Sequence, residues 1–307
     1  MNKERRGQLL SAHAGPESRG LWMLVGAAVW FSIMSALVKL AGRELPMGMA
    51  MFARSLVTLV FSYAVVQRQG RSFQSAEKKL LVLRGLFGLG GIVCFFYAVL
   101  SLPIAEATVI QFMNPLLTTL LAFVVLKERP GGSVGLALAL GLSGTLLVAR
   151  PAALFGEHVA LSQQGVLAGI GGAVFSSCAY VTIRRVTRTN HPDLVAFYFP
   201  LVATPATFVF ALATWTWPTP RGWVLLFAIG CVTHMGQLWM TRGLALVPAG
   251  RGTAVGYLQI AFASLWGLCF FGERPSAWTA AGASLVILAA VVVVRTVPKA
   301  NVAERAK

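Results

Sequence analysis

Acidic residues are scarce in this chain: ten Asp and Glu stand against 26 Lys and Arg in 307 residues. Histidine is scarcer still, with four, and His13, His158 and His191 are isolated in polar stretches. General acid–base or nucleophilic chemistry needs acids, histidines or a nucleophile–base pair gathered at one place, and the sequence brings none together. It also lacks a glycine-rich phosphate loop and any metal-ligand signature. The four cysteines, Cys94, Cys178, Cys231 and Cys269, show neither CxxC nor CxxH spacing. They fall within apolar runs, where a thiol behaves as a small buried apolar side chain. No disulfide, metal or cofactor is therefore expected.

What is abundant is apolar side chain. Hydrophobic residues make up 57% of the chain and charged ones 12%, with a mean hydropathy of +0.73. The apolar runs are about 20 residues long, the length at which a helix crosses a hydrocarbon layer of ~30 Å. Ten such spans are expected near 21–41, 46–66, 80–101, 103–126, 132–152, 164–183, 194–214, 222–245, 248–271 and 277–295. Short connections with turn chemistry separate them, such as Glu44-Leu45-Pro46, Asn190-His191-Pro192 and Trp217-Pro218-Thr219-Pro220. The fold class read from this pattern is an all-α integral membrane protein of ten transmembrane helices.

The net charge of +16 would suggest nucleic acid as partner in a soluble protein, but its placement follows membrane topology instead. With residues 1–19 as a cytoplasmic tail, inner segments hold 19 of the 26 Lys and Arg, and outer ones only Lys39, Arg43, Arg150, Arg221 and Arg274. The partner implied is the anionic lipid surface, not nucleic acid. No short apolar core with a small-residue cleavage site precedes span one, so it is read as uncleaved. Both ends, 1–19 and 297–307, are expected in the cytoplasm of a bacterial cell whose inner membrane holds the protein.

A second regularity runs the length of the chain. The stretch AVLSLPIAEATVIQFMNPLLTTLLAFVVLKERP at 98–130 returns 145 residues later, without a gap, as GLALVPAGRGTAVGYLQIAFASLWGLCFFGERP. The same shift lays Gly20 on Gly165, Lys39 on Arg184, Gly85 on Gly230 and Arg150 on Arg295. Two copies, 20–152 and 164–296, thus fill the chain around a linker at 153–163. Five spans per copy is an odd number, so the second copy enters the membrane from the opposite side to the first, as two inverted five-helix repeats. Secondary transporters use this design to present one site alternately to each side of a membrane.

At the level of motif, Pro103…Asn114-Pro115…Glu128-Arg129, its echo Pro248…Glu273-Arg274, and Arg54 early in span two resemble the ten-helix EamA branch of the drug/metabolite transporter superfamily. The resemblance covers about Leu21 to Arg295. It implies a monomer-scale transporter, with homodimer formation left open, and a central cavity lined by spans one, three, four, six, eight and nine, with five and ten peripheral. One departure is Ile260 where the first copy has Pro115, so a weaker helix break is expected in span nine.

Polar side chains within spans are costly in lipid and usually face a cavity or a partner helix. Gln111, Asn114 and Thr118 form one seam on span four, and the repeat lays Asn114 on Gln259 and Phe112 on Tyr257. His234 and Gln237 share a face of span eight. Trp30, Tyr97 and Tyr180 lie on spans that the resemblance assigns to the cavity and would stack on a planar substrate; ordinary packing is the alternative for each. Glu106 and Arg54 lie at similar depths near the outer mouth and are expected to pair, as an outer gate or a structural ion pair. Arg251, which the repeat lays on Glu106, is a candidate inner gate. Arg84 is expected to snorkel to the inner surface. Amides, aromatics and few charges favour a neutral or zwitterionic small molecule, an amino acid or a relative, moved by secondary transport. An integral membrane enzyme or a lipid-flipping accessory protein is the alternative reading.

Overall fold

Runs of apolar residues that no water can solvate must satisfy their backbone internally, and the chain does so as helices throughout. The computed structural model describes residues 15–102, 104–149, 162–271 and 277–295. Its helices are α1 (Pro16–Ala41), α2 (Met47–Arg68), α3 (Lys78–Ser101), α4, α5 (Gly132–Ala149), α6 (Gln163–Val186), α7 (Pro192–Ala213), α8 (Pro220–Leu246), α9 and α10 (Ala277–Arg295). Two are discontinuous: α4 is split into Ile104–Gln111 and Asn114–Leu121, and α9 into Ala249–Val255 and Leu258–Phe271. Among the described residues, nine helices are long and apolar enough to cross a membrane, and Gly132–Val148 in α5 is apolar but shorter. The expected linker at 153–163 falls almost entirely outside the described residues.

Local chemistry sets several helix starts. Pro192 and Pro220 occupy first helical positions, where their missing N–H costs nothing. Ser162 and Thr219 accept the amide hydrogens of Gly165 and Gly222 as N-caps. At the end of α4, a π-turn over Ala122–Leu126 closes on Lys127 in the left-handed conformation, with φ 56°, and this turn aims the next residue, Glu128, back at the bundle.

The tightest packings are α3 on α6, α1 on α8, α5 on α10 and α2 on α7. Lipid offers no hydrophobic drive between apolar helices, so close backbone approach by small residues supplies the attraction. A Cβ on Gly144 would lie 2.6 Å from the Gly282 carbonyl oxygen, and one on Gly282 would lie 2.6 Å from that of Gly144. α5 and α10 therefore touch backbone to backbone. Large apolar side chains such as Val124, Leu167, Val224 and Phe270 point outward, as a lipid-facing surface requires. Glu17, Glu128, Asp193, Arg242 and Arg251 mark one end of the bundle, called proximal below; Lys39, Glu44 and Arg221 mark the distal end.

The span-nine expectation needs correction. The break in α9, at Gly256-Tyr257, is as definite as that in α4, at Phe112-Met113. Proline is not required for it: Gly256 donates to Thr253 and Gln259 to Gly256 in short three-residue turns, and glycine tolerates such a change of winding.

Candidate functional site

The two helix breaks meet. Tyr257, at the break in α9 and fully buried, donates its hydroxyl to the Phe112 carbonyl at the break in α4, 3.1 Å away, and the two rings stack at 5.9 Å. A helix interruption leaves carbonyls without their usual donors, and in a membrane these must be satisfied from elsewhere. The side chain of one break serves the other. Ser177 of α6 likewise donates to the Asn114 carbonyl at 3.0 Å.

Beside these breaks lies a cavity of about 760 Å³. Its wall extends from Lys39, Thr108 and Val148 near the distal end to a floor at Leu24, Ile183, Leu244 and Thr253. α1, α3, α4, α6, α8 and α9 all contribute, joined by Arg54 of α2, Thr145 of α5 and Phe199 of α7. Of the expected residues, Gln111, Asn114, Tyr180, Gln237, Gln259 and Arg54 line it. Gln111 donates to Ser176 Oγ at 3.3 Å, and its buried carbonyl oxygen has no hydrogen-bond partner among the described residues. Tyr180 lies beside Asn114 and within electrostatic reach of Arg84.

Others stand elsewhere. Tyr257 works at the helix breaks, behind the wall. His234 faces α2, where its Nδ1 lies 3.3 Å from Ser62 Oγ and its ring 5.6 Å from that of Phe61. Tyr97 is half exposed and donates its hydroxyl to Gln164 Oε1 at 3.1 Å, bridging α3 and α6. Trp30, on α1, is half-buried and outside the cavity lining. The side chain of Glu106 lies outside the described residues, and with it the pair expected with Arg54.

Arg84 departs most from expectation. In place of snorkelling to the surface it is 2% exposed, capped by Phe199 with the guanidinium carbon 4.5 Å from the ring centre. One nitrogen donates to Gln237 Oε1 at 3.2 Å. The reason is steric: Gly85 and Gly88 carry no side chain, so α7 closes over α3. A Cβ on Gly88 would sit 2.7 Å from the Phe199 ring. The sequence did hold a signal, a cation within an apolar span next to glycines.

The proximal end is closed by charge. Glu128 accepts from Arg184 Nε at 3.0 Å, from Arg188 Nη2 at 3.3 Å and from the Ala249 amide at 2.9 Å. Arg184 in turn donates to the Leu244 and Ala245 carbonyls at 3.2 and 2.7 Å. Asp193 takes both a 2.7 Å and a 2.8 Å bond from Arg242, and Gln69 adds a third at 2.7 Å. Arg251, the expected inner gate, pairs with Glu17 at the start of α1. These contacts draw the ends of α1, α4, α6, α7, α8 and α9 together beneath the cavity floor.

The model of the EamA-like transporter family matches this chain twice, over residues 18–150 and 163–295. The chain belongs to the EamA-like transporter family. It is 32% identical over 280 residues to the pseudopaline exporter CntI of Pseudomonas aeruginosa, covering 90% of this chain and 96% of that protein. It is 26% identical over 279 residues to the human solute carrier family 35 member G1, covering 87% and 76%. A solved crystal structure shares the fold with a TM-score of 0.75 at 20% identity, covering 89% of this chain and 95% of the other. EamA-like membership and these relatives, themselves transporters, support a multi-pass membrane protein with a transporter role.

Proposed function

We propose that this EamA-like protein is a secondary transporter that exports a small polar organic metabolite of amino-acid type by alternating access, its two five-helix repeats, 20–152 and 164–296, lying inverted in the bacterial inner membrane with both termini cytoplasmic. The observation that carries this reading is the meeting of the two helix breaks at Phe112 and Tyr257, residues 145 apart, beside a cavity whose lining extends to Lys39, Thr108 and Val148 near the distal end. The packing pattern supports it: the 145-residue shift turns the α3–α6 pair into α8–α1 and maps α2–α7 and α5–α10 onto themselves, as a twofold axis in the membrane plane would. With the termini inside, the cavity is outward-facing and the proximal ion pairs form its closed cytoplasmic side. The direction, export, follows that of the Pseudomonas relative, a pseudopaline exporter.

The test is vectorial. Proteoliposomes loaded with a defined metabolite mixture should lose one or a few components saturably. Asn114→Ala and Gln259→Ala should each slow that loss at least about tenfold, the scale of one well-made hydrogen bond, while inserting normally. Undiminished movement in both removes these amides from the site, and chemical turnover without movement favours the membrane-enzyme alternative. Labelling of the two chain ends on opposite faces overturns the inverted arrangement.

A further inference from the structure

The charge balance of the cavity is one-sided. Lys39, Arg54 and Arg84 line it, and no Asp or Glu is among the described lining residues. Arg84 is the informative one because it lies deepest: it stands six residues, about 9 Å, from the proximal start of α3 and is 2% exposed. Its Nε and Nη1 have no hydrogen-bond acceptor among the described residues. A guanidinium carries five donors and keeps its charge at any pH of interest, and an ion removed from water without a counter-charge is strongly disfavoured.

No carboxylate among the described side chains supplies that counter-charge. The five acids with described side chains are committed elsewhere: Glu17 to Arg251, Glu44 to Arg221, Glu128 to Arg184, Asp193 to Arg242, and Glu77 to Thr189 and Asn190. Glu106 starts from the far end, two residues into the distal half of α4, roughly 20 Å along the bundle axis from Arg84 by helical rise. Phe199 and Gln237 hold the guanidinium in place from one side. Its free donors border the cavity with Asn114, Gln237 and Tyr180 nearby.

We infer that Arg84 is the anchor for a carboxylate of the transported solute, so that the substrate is an organic anion whose acid group reaches the cavity floor. This narrows the expectation of a neutral or zwitterionic solute to one that carries a carboxylate, and it rests on the cavity being the transport site. A planar guanidinium is suited to a carboxylate in shape as well as charge. Arg54, nearer the mouth, offers a second cation on the way in. A solute with a lone ammonium finds no counter-charge among the described lining residues.

Thermal unfolding of the full-length protein in detergent tests this with succinate, glutarate and citrate, each paired with its fully amidated, uncharged counterpart at one ionic strength. At least one carboxylate should raise the midpoint in the wild type while its amide does not, since selective binding to the folded form stabilises it. Arg84→Lys, which keeps the charge, should retain a reduced shift. Arg84→Met, which keeps the volume, should lose the shift while eluting as a single folded species. A shift of equal size in Arg84→Met, a shift with amides alone, or none with any carboxylate overturns the inference. If Arg84→Met does not fold, a reduced shift in Arg84→Lys still supports the inference, and an undiminished shift there overturns it. Export that persists without carboxylate binding sinks this inference alone; carboxylate binding without vectorial movement sinks the transport reading alone.

Discussion

Glu128→Gln should loosen the proximal end of the bundle and leave the distal end alone. In the native protein the Glu128 side chain is 16% exposed and the Arg184 side chain 17%, so their bond is mostly shielded from solvent. The amide keeps one acceptor oxygen, which can still take the Ala249 N–H, but it gives up the charge-assisted bond from Arg184. Such bonds contribute roughly 1.5–3 kcal/mol. Arg188 is 52% exposed and its share is roughly 0–1 kcal/mol. A loss of about 2 kcal/mol corresponds to about a 30-fold rise in the open population. Amide hydrogen exchange reads it directly, because backbone protection reports the free energy of local opening. Gly252, whose amide donates to the Pro248 carbonyl at 2.9 Å, should exchange faster by that factor, while amides near Gly42 and Leu45 at the distal end should not change. Unaltered exchange at Gly252, or equal acceleration at both ends, would refute the assignment of Glu128 as a proximal clasp.

Steric effects give a paired test between positions that the repeat equates. A Cβ on Gly26 would lie 2.1 Å from the Trp239 ring, whereas one on Gly171 would make an ordinary 3.6 Å contact with Cys94; Gly26→Ala should cost about 1–3 kcal/mol of stability and Gly171→Ala close to none, as read by thermal unfolding. Tyr257→Phe removes the hydroxyl that donates to the Phe112 carbonyl and should destabilise by about 1–2 kcal/mol, with an unchanged midpoint counting against the junction of the breaks. His191 accepts the Asp193 amide through Nδ1 at 3.3 Å, a cap available only to the neutral ring. Burial, aided by Arg71 and Arg242 and opposed by Asp193, holds its pKa below the ordinary 6.5. Because the folded value lies below the unfolded one, this contribution is intact above pH 6.5 and is lost as pH falls from there through the lower folded-state value. Thermal midpoints between about pH 5 and 8 should show this acid-side decline in the wild type and a smaller one in His191→Asn, whose amide caps at every pH.

Much of the architecture was legible in one dimension because lipid leaves the backbone few choices. Apolar runs of about 20 residues become helices wherever they occur, so α2 and α7 fell close to their expected limits. The 145-residue register related the two helix breaks, and of the polar seam Gln111, Asn114 and Thr118 the first two line the cavity while Thr118 is buried outside its lining. Other side chains could not be placed from periodicity. Tyr257 and His234 lie on helices that border the cavity but turn toward the α4 break and toward α2.

Segment length, hydropathy and repeat register therefore determined that the chain is a two-copy membrane bundle, since each depends only on the order of residues along the chain. The environment of Arg84 was decided by the tertiary structure alone. Its burial depends on how closely α7 can approach α3 over Gly85 and Gly88 and on what α8 offers opposite, and those distances exist only once the three helices have packed.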